Sequence, residues 1–170
     1  MRKFLAPLFL LFSFVLSAQN SVQSNLHVVL KPIQSIKIND QQQHINLSFE
    51  TVEDYTKGKI SNQADHIEIM SSGTYEIRVV ANSPLQYDSD EIRLENIGLN
   101  PSLGGIGEFR DNISLLPISL SLREKNMIQS NVGDIKRTFN VSYKMNASDE
   151  LLNKPIGTYS TVITYTILSL

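Results

Sequence analysis

Residues 135–145 read Ile-Lys-Arg-Thr-Phe-Asn-Val-Ser-Tyr-Lys-Met. Apolar side chains stand at Ile135, Phe139, Val141, Tyr143 and Met145, and polar ones at Thr138, Asn140, Ser142 and Lys144. Such alternation with period two is the pattern of a strand that buries one face. It predicts that Val141→Asp is severely destabilising and that Asn140→Asp, one residue away on the other face, costs little.

Upstream of this stretch, Leu116, Ile118, Leu120 and Leu122 repeat the pattern, with Pro117 on the opposite face, where an edge strand tolerates it. Downstream, Ser148 is placed to cap a single helical turn over 149–152 before Pro155. The β-branched run Tyr159 to Leu168 is apolar on both parities, at Val162, Ile163, Ile167 and Leu168, which predicts a strand inside a sheet and covered on both faces.

Between His66 and Ala81, Ile67 and Ile69 precede Ser71-Ser72-Gly73, and Tyr75, Ile77 and Val79 follow. The expected unit is a tight hairpin with a three-residue loop. That loop opposes Ile69 to Tyr75 and Ile67 to Ile77, with Gly73 taking a left-handed conformation. It also sets Glu68 against Glu76, a like-charge cost that Arg78 relieves. Further upstream, Ile36 with Ile38, and Ile45, Leu47 and Phe49, predict strands, as does Val22, Leu26, Val28 and Leu30 ahead of Pro32. Residues 82–111, rich in Pro and Gly around a short strand at Ile92 and Leu94, read as a long variable connection. Many short strands with almost no helix predict an all-β chain folded as an antiparallel immunoglobulin-like β-sandwich, with Ile67, Ile69, Tyr75, Ile77, Phe139, Val141 and Tyr143 in its core.

The first residues speak to compartment. Met1-Arg2-Lys3 is a basic head, Phe4 to Leu16 is apolar apart from Pro7 and Ser13, and Ser17-Ala18 supplies small residues for a peptidase. This is the signature of a removable secretory signal over 1–18, leaving a single domain at 19–170 that is exported to the periplasm, the cell surface or the medium. No later segment is apolar enough to span a bilayer as a helix, so membrane insertion is not expected. Cysteine is absent, which excludes a disulfide framework and an acceptor for a lipid anchor. Removing Arg2 and Lys3 from the 15 basic residues leaves 13 against 17 acidic ones, a formal charge of −4. Such a surface gives nucleic acid no electrostatic reason to bind.

A search for chemistry finds no constellation. His27, His44 and His66 lie at or beside polar strand positions without metal-ligand spacing, and are expected to be exposed. Nucleophile and zinc motifs are missing. Gly104, Gly105 and Gly107 lack the helix that would hold a pyrophosphate and read as a flexible loop. Asp88-Ser89-Asp90-Glu91 has the acids of a calcium loop without the rest of its pattern and reads as a solvated turn. Four Asn-x-Ser tripeptides, at Asn46, Asn112, Asn140 and Asn146, are attributed to the abundance of both residues. Of the aromatics, only Tyr55, Tyr87 and Phe109 fall in expected loops, a poor platform for sugar rings. The expectation is a protein with no catalytic, cofactor or metal site.

Three stretches carry a resemblance: Leu16-Ser17-Ala18-Gln19, the alternating Val22 to Leu30, and Gly157-Thr158-Tyr159-Ser160-Thr161-Val162-Ile163-Thr164-Tyr165 leading into the last strand. On these the chain resembles secreted bacterial pilin-like β-sandwich proteins, notably cysteine-free chaperone–usher fimbrial subunits and exported proteins of Bacteroidota. It departs from most chaperone–usher pilins in lacking their disulfide. The resemblance implies a structural or adhesive subunit whose partners are other copies of itself or related subunits, together with a periplasmic chaperone. Assembly would proceed by β-strand exchange, with Val22, Leu26, Val28 and Leu30 as the inserted side chains. Two alternatives stand beside it. The same segment can serve as the domain's own first strand, and the protein can be a soluble periplasmic or secreted ligand-binding module that uses residues 82–111.

Overall fold

The computed structural model describes residues 20–108 and 111–170. Residues 31–170 form one compact unit, and residues 20–30 are described apart from it. The leader expected at 1–18 and the loop residue Phe109 lie outside the described residues.

The compact unit is an antiparallel β-sandwich. One sheet contains β1 (Gln34–Ile38), β2 (Lys59–Ser71), β10 (Asp134–Met145), β6 (Ile97–Leu103) and β8 (Ile118–Ser119), in that spatial order. The other contains β11 (Ile163–Ser169), β3 (Tyr75–Ala81), β9 (Lys125–Ser130) and β7 (Ile113–Leu115). A small hairpin, β4 (Leu85–Tyr87) with β5 (Asp90–Ile92), stands beside them. All seven expected core residues are 2% exposed or less. They pack with Leu99, Leu120, Met127 and Ile128 between the sheets.

Several expectations are corrected. β2 and β3 do not form a hairpin: β2 pairs with β1 and β10, β3 with β11 and β9, and residues 72–74 arch from one sheet to the other. Side chains of alternate residues point inward in either arrangement, so parity could not separate them. Gly73 is not left-handed, because the arch makes no such demand. Glu68 lies beside Lys37 and Thr138 on neighbouring strands, well away from Glu76, which pairs with Arg78. The expected 116–122 strand shrinks to β8 at Ile118–Ser119, β7 having ended in the other sheet at Leu115, and Leu116 and Leu122 are exposed. β11 lies at a sheet edge instead of inside, with Val162 exposed before it.

Within 82–111, β6 runs as an inner strand with Ile97, Leu99 and Pro101 buried. Pro101 is tolerated because β8 covers β6 only at Gly98 and Leu99. Ile45, Leu47 and Phe49 keep alternating burial but join no ladder, since a 3-10 turn at Asp40–Gln42 and a helix α1 (Val52–Lys57) redirect the chain at both ends. α1 has a capping box, Thr51 with Asp54, that sequence reading passed over. The turn at α2 (Asp149–Leu152) forms as expected, with the Ser148 side chain accepting from the Glu150 amide.

Two bulges in β10 and β2 decide which polar side chains turn inward. Between Asp134 and Arg137 one extra β10 residue shifts the parity, so Ile135 is 88% exposed and Arg137 only 1%. The Arg137 guanidinium lies 3.0 Å from Asp134, which accepts the Tyr75 hydroxyl at 2.9 Å. Between Phe139 and Val141, β2 advances four residues, from Ile67 to Gln63, against two on β10. Asp65 takes the slack in a left-handed conformation (φ 48°), and His66 is turned into the core beside Ile67.

Candidate functional site: an exposed leading segment and an open sheet edge

Val22, Leu26, Val28 and Leu30 are the residues that sequence reading nominated. They are 96%, 88%, 74% and 89% exposed, in a segment that forms no ladder. No strand is formed over residues 20–33, and the first strand, β1, begins at Gln34, after Pro32. Proline cannot donate to a ladder, which accounts for the break.

A segment seeking backbone partners needs an open edge, and the four outer strands differ in what they offer. β8 has two residues and β7 three, with Pro117 between them. β1 follows Pro32 and carries Lys37, paired with Asp40 at 3.0 Å. Short length, proline and lysine are the usual means of blocking an edge. β11 has none of them: Ile-Thr-Tyr-Thr-Ile-Leu-Ser is seven residues without charge, proline or a register shift against β3. Among the described residues no strand pairs with its outer side. β1 approaches it without forming a ladder. The core-directed side chains of this side, Ile36, Ile38, Ile163, Tyr165 and Ile167, are only half-buried.

Behind that edge lies a buried polar chain. His27 and His44 are exposed as expected, but His66 is 1% exposed, which corrects the expectation for all three. Gln42 donates its amide to the Ala64 carbonyl at 2.8 Å, so its Oε1 is left to accept from His66 Nδ1 at 3.0 Å. Nε2 of a neutral ring then accepts from the Tyr143 hydroxyl at 2.8 Å, and Tyr143 in turn bonds to Tyr165. The chain runs from the 3-10 turn through β2 and β10 and crosses between the sheets to β11. Burial holds the His66 pKa down at about 4 and pushes both tyrosines above their ordinary value.

The remaining candidates resolve as structure. The glycine-rich stretch is a loop tied to the five-stranded sheet: the Gly105 amide donates to Asp65 at 2.7 Å and the Ile106 amide to the Thr138 hydroxyl at 3.0 Å. A Cβ on Gly104 would lie 2.3 Å from Thr138 Oγ1, so glycine is required by close approach. Those donors hold the Asp65 carboxyl below its ordinary pKa, the Thr138 hydroxyl contributing most. Asp88 and Ser89 make the tight turn of the β4–β5 hairpin, and among the described residues no three His, Cys, Asp or Glu side chains gather as metal ligands. Tyr55 sits on α1, and Tyr87 packs on Tyr159 at 5.5 Å. Asn140 is committed on both sides of its amide, accepting from Asp65 N at 2.8 Å and donating to the Leu103 carbonyl at 2.8 Å. No helix among the described residues is long and apolar enough to cross a membrane. No known family matches the chain, and no curated protein resembles it significantly.

Proposed function

We propose that the chain is an exported structural or adhesive surface subunit, pilin-like in its mode of assembly, in which residues 22–30 of one copy add as a strand to the β11 edge of the next. One observation carries this reading: the one long edge left without charge or proline among the described residues occurs in the same chain as an alternating apolar segment that forms no ladder. Backbone hydrogen bonds along Ile163–Ser169 would supply affinity, and Leu26, Val28 and Leu30 would supply the side chains that fill the half-buried side of the core. Export by the leader at 1–18 would place the subunits where such a polymer is useful.

Size-exclusion chromatography of the chain with and without residues 19–31 tests the proposal. A ladder of oligomers that collapses on truncation, while the truncated protein stays folded, supports it. A wild type that remains monomeric at high concentration with no chaperone bound refutes it.

A further inference from the structure

The buried chain Gln42–His66–Tyr143–Tyr165 ends on the strand whose edge is open, and its two ends are anchored differently. The 3-10 turn that carries Gln42 is fastened to β2 itself, by the Asn39 amide to the His66 carbonyl at 2.9 Å and by Gln42 to Ala64. Gln42 therefore moves with His66. Tyr165 belongs to the other sheet, on a strand with a ladder along one side only, and meets the chain through its hydroxyl and its ring, 6.0 Å from the imidazole.

We propose that His66 is an acid-sensitive latch on β11: when its ring is protonated, the gap between Tyr143 and Tyr165 admits water and the edge strand loosens while the rest of the sandwich stays closed. The groups facing the ring are Gln42 from the 3-10 turn, Tyr143 from β10 and Tyr165 from β11, and none of them carries a charge to neutralise an imidazolium. The neighbouring Asp65 carboxylate is engaged instead by Thr138 and the Gly105 amide. A buried cation without a counter-charge draws in water. The cheapest way to let water reach the ring is to part the sheets at their weaker edge, and β11 is bonded to one neighbour where β2 and β10 are bonded to two. Acid would thus expose the strand that the assembly proposal needs accessible. That consequence rests on the assembly reading, whereas the latch itself does not.

Amide hydrogen exchange of the full chain at pH 7 and pH 5, corrected for intrinsic rates, tests it. With the folded ring titrating near 4 and the free ring near 6.5, protection of Thr164–Leu168 should fall about twentyfold between these pH values. Protection of Met127–Gln129 on β9 should follow the global stability measured by denaturation at each pH and stay above that of β11 throughout. His66→Gln keeps a donor and an acceptor but cannot take the proton, and should abolish the fall. If that variant does not fold, an NMR titration of the wild type decides, since the His66 ring and the β11 amides must change with one midpoint. Unchanged β11 protection, β11 protection equal to that of β9 at both pH values, the same fall in His66→Gln, or separate midpoints would each overturn the latch. Because exchange is read on single strands, this failure is distinct from a failure to polymerise.

Discussion

The segment Val22–Leu30 and strand β10 carry the same period-two pattern, yet one is bare and the other is the centre of the five-stranded sheet. In β10 the inward residues Phe139, Val141 and Tyr143 lie beside Ile67 and Leu99 of the adjoining strands in a shared core, and ladders run along both sides. In the leading segment the same parity belongs to no ladder. Alternation states that a strand can form and which face it would bury. It does not state on which chain the partner lies.

The contrast can be broken most strongly at Val141. Val141→Asp puts a carboxylate with no partner between the sheets and should cost about 4 kcal/mol or more in chemical denaturation. Leu26→Asp, an equal insult in the leading segment, should leave melting unchanged.

The β10 side can also be weakened without mutation. The unfolded chain protonates His66 near 6.5 and the folded chain resists until about 4, so between those values the unfolded state holds more protons. Stability is then complete above pH 6.5 and falls with acidification towards pH 4, by about 3 kcal/mol in total. Denaturation midpoints across that range, compared with His66→Gln, measure it.

A smaller effect is expected at Asn140, and it reverses what sequence alone predicts. Asn140→Asp removes the donor to Leu103 and sets a carboxylate against that carbonyl, next to Asp65. The loss should be about 2 kcal/mol by denaturant titration, where an outward strand position would show almost none.

The smallest effects sharpen the other side of the contrast. Leu26→Asp and Val28→Asp should abolish oligomers in chromatography with no change in melting temperature, and His27→Asp, on the opposite parity, should alter neither. A drop in melting temperature for the first two would mean that the segment stabilises its own domain after all.

What could be read from the sequence followed from how local each signal is. The β10 core and the Ser148 cap depend on residues within a few positions of one another, and both are present. The arch at 72–74 and the edge position of β11 are properties of pairing between distant segments, on which parity is silent. Arg137 was missed because it follows a bulge in which one extra residue on β10 reverses the faces, and His66 because it lies within an irregularity in which β2 carries two extra residues against β10. β6 was missed because Gly98 and Pro101 imitate a loop, and only the partial cover by β8 makes the proline acceptable. The open edge had a legible trace in the absence of charge and proline from Ile163 to Ser169, but that absence reads equally well as a buried central strand.

The arch has a consequence for how the protein folds. By sending β2 and β3 into different sheets, it denies each strand its nearest neighbour in sequence, and the β4–β5 turn is left as the one tight local hairpin among the described strands. β2 must wait for β10, near the end of the chain, before its second side is paired. Loop closure over such distances comes before any reward in contacts, and folding on a millisecond-to-second scale is the rule for sandwiches of this kind. A chain emerging from its N-terminus would present β2 with its second edge unpaired until residues 134–145 arrive. Nascent molecules therefore pass through an interval in which sticky strands are unguarded, and any companion that shields them would act during that interval.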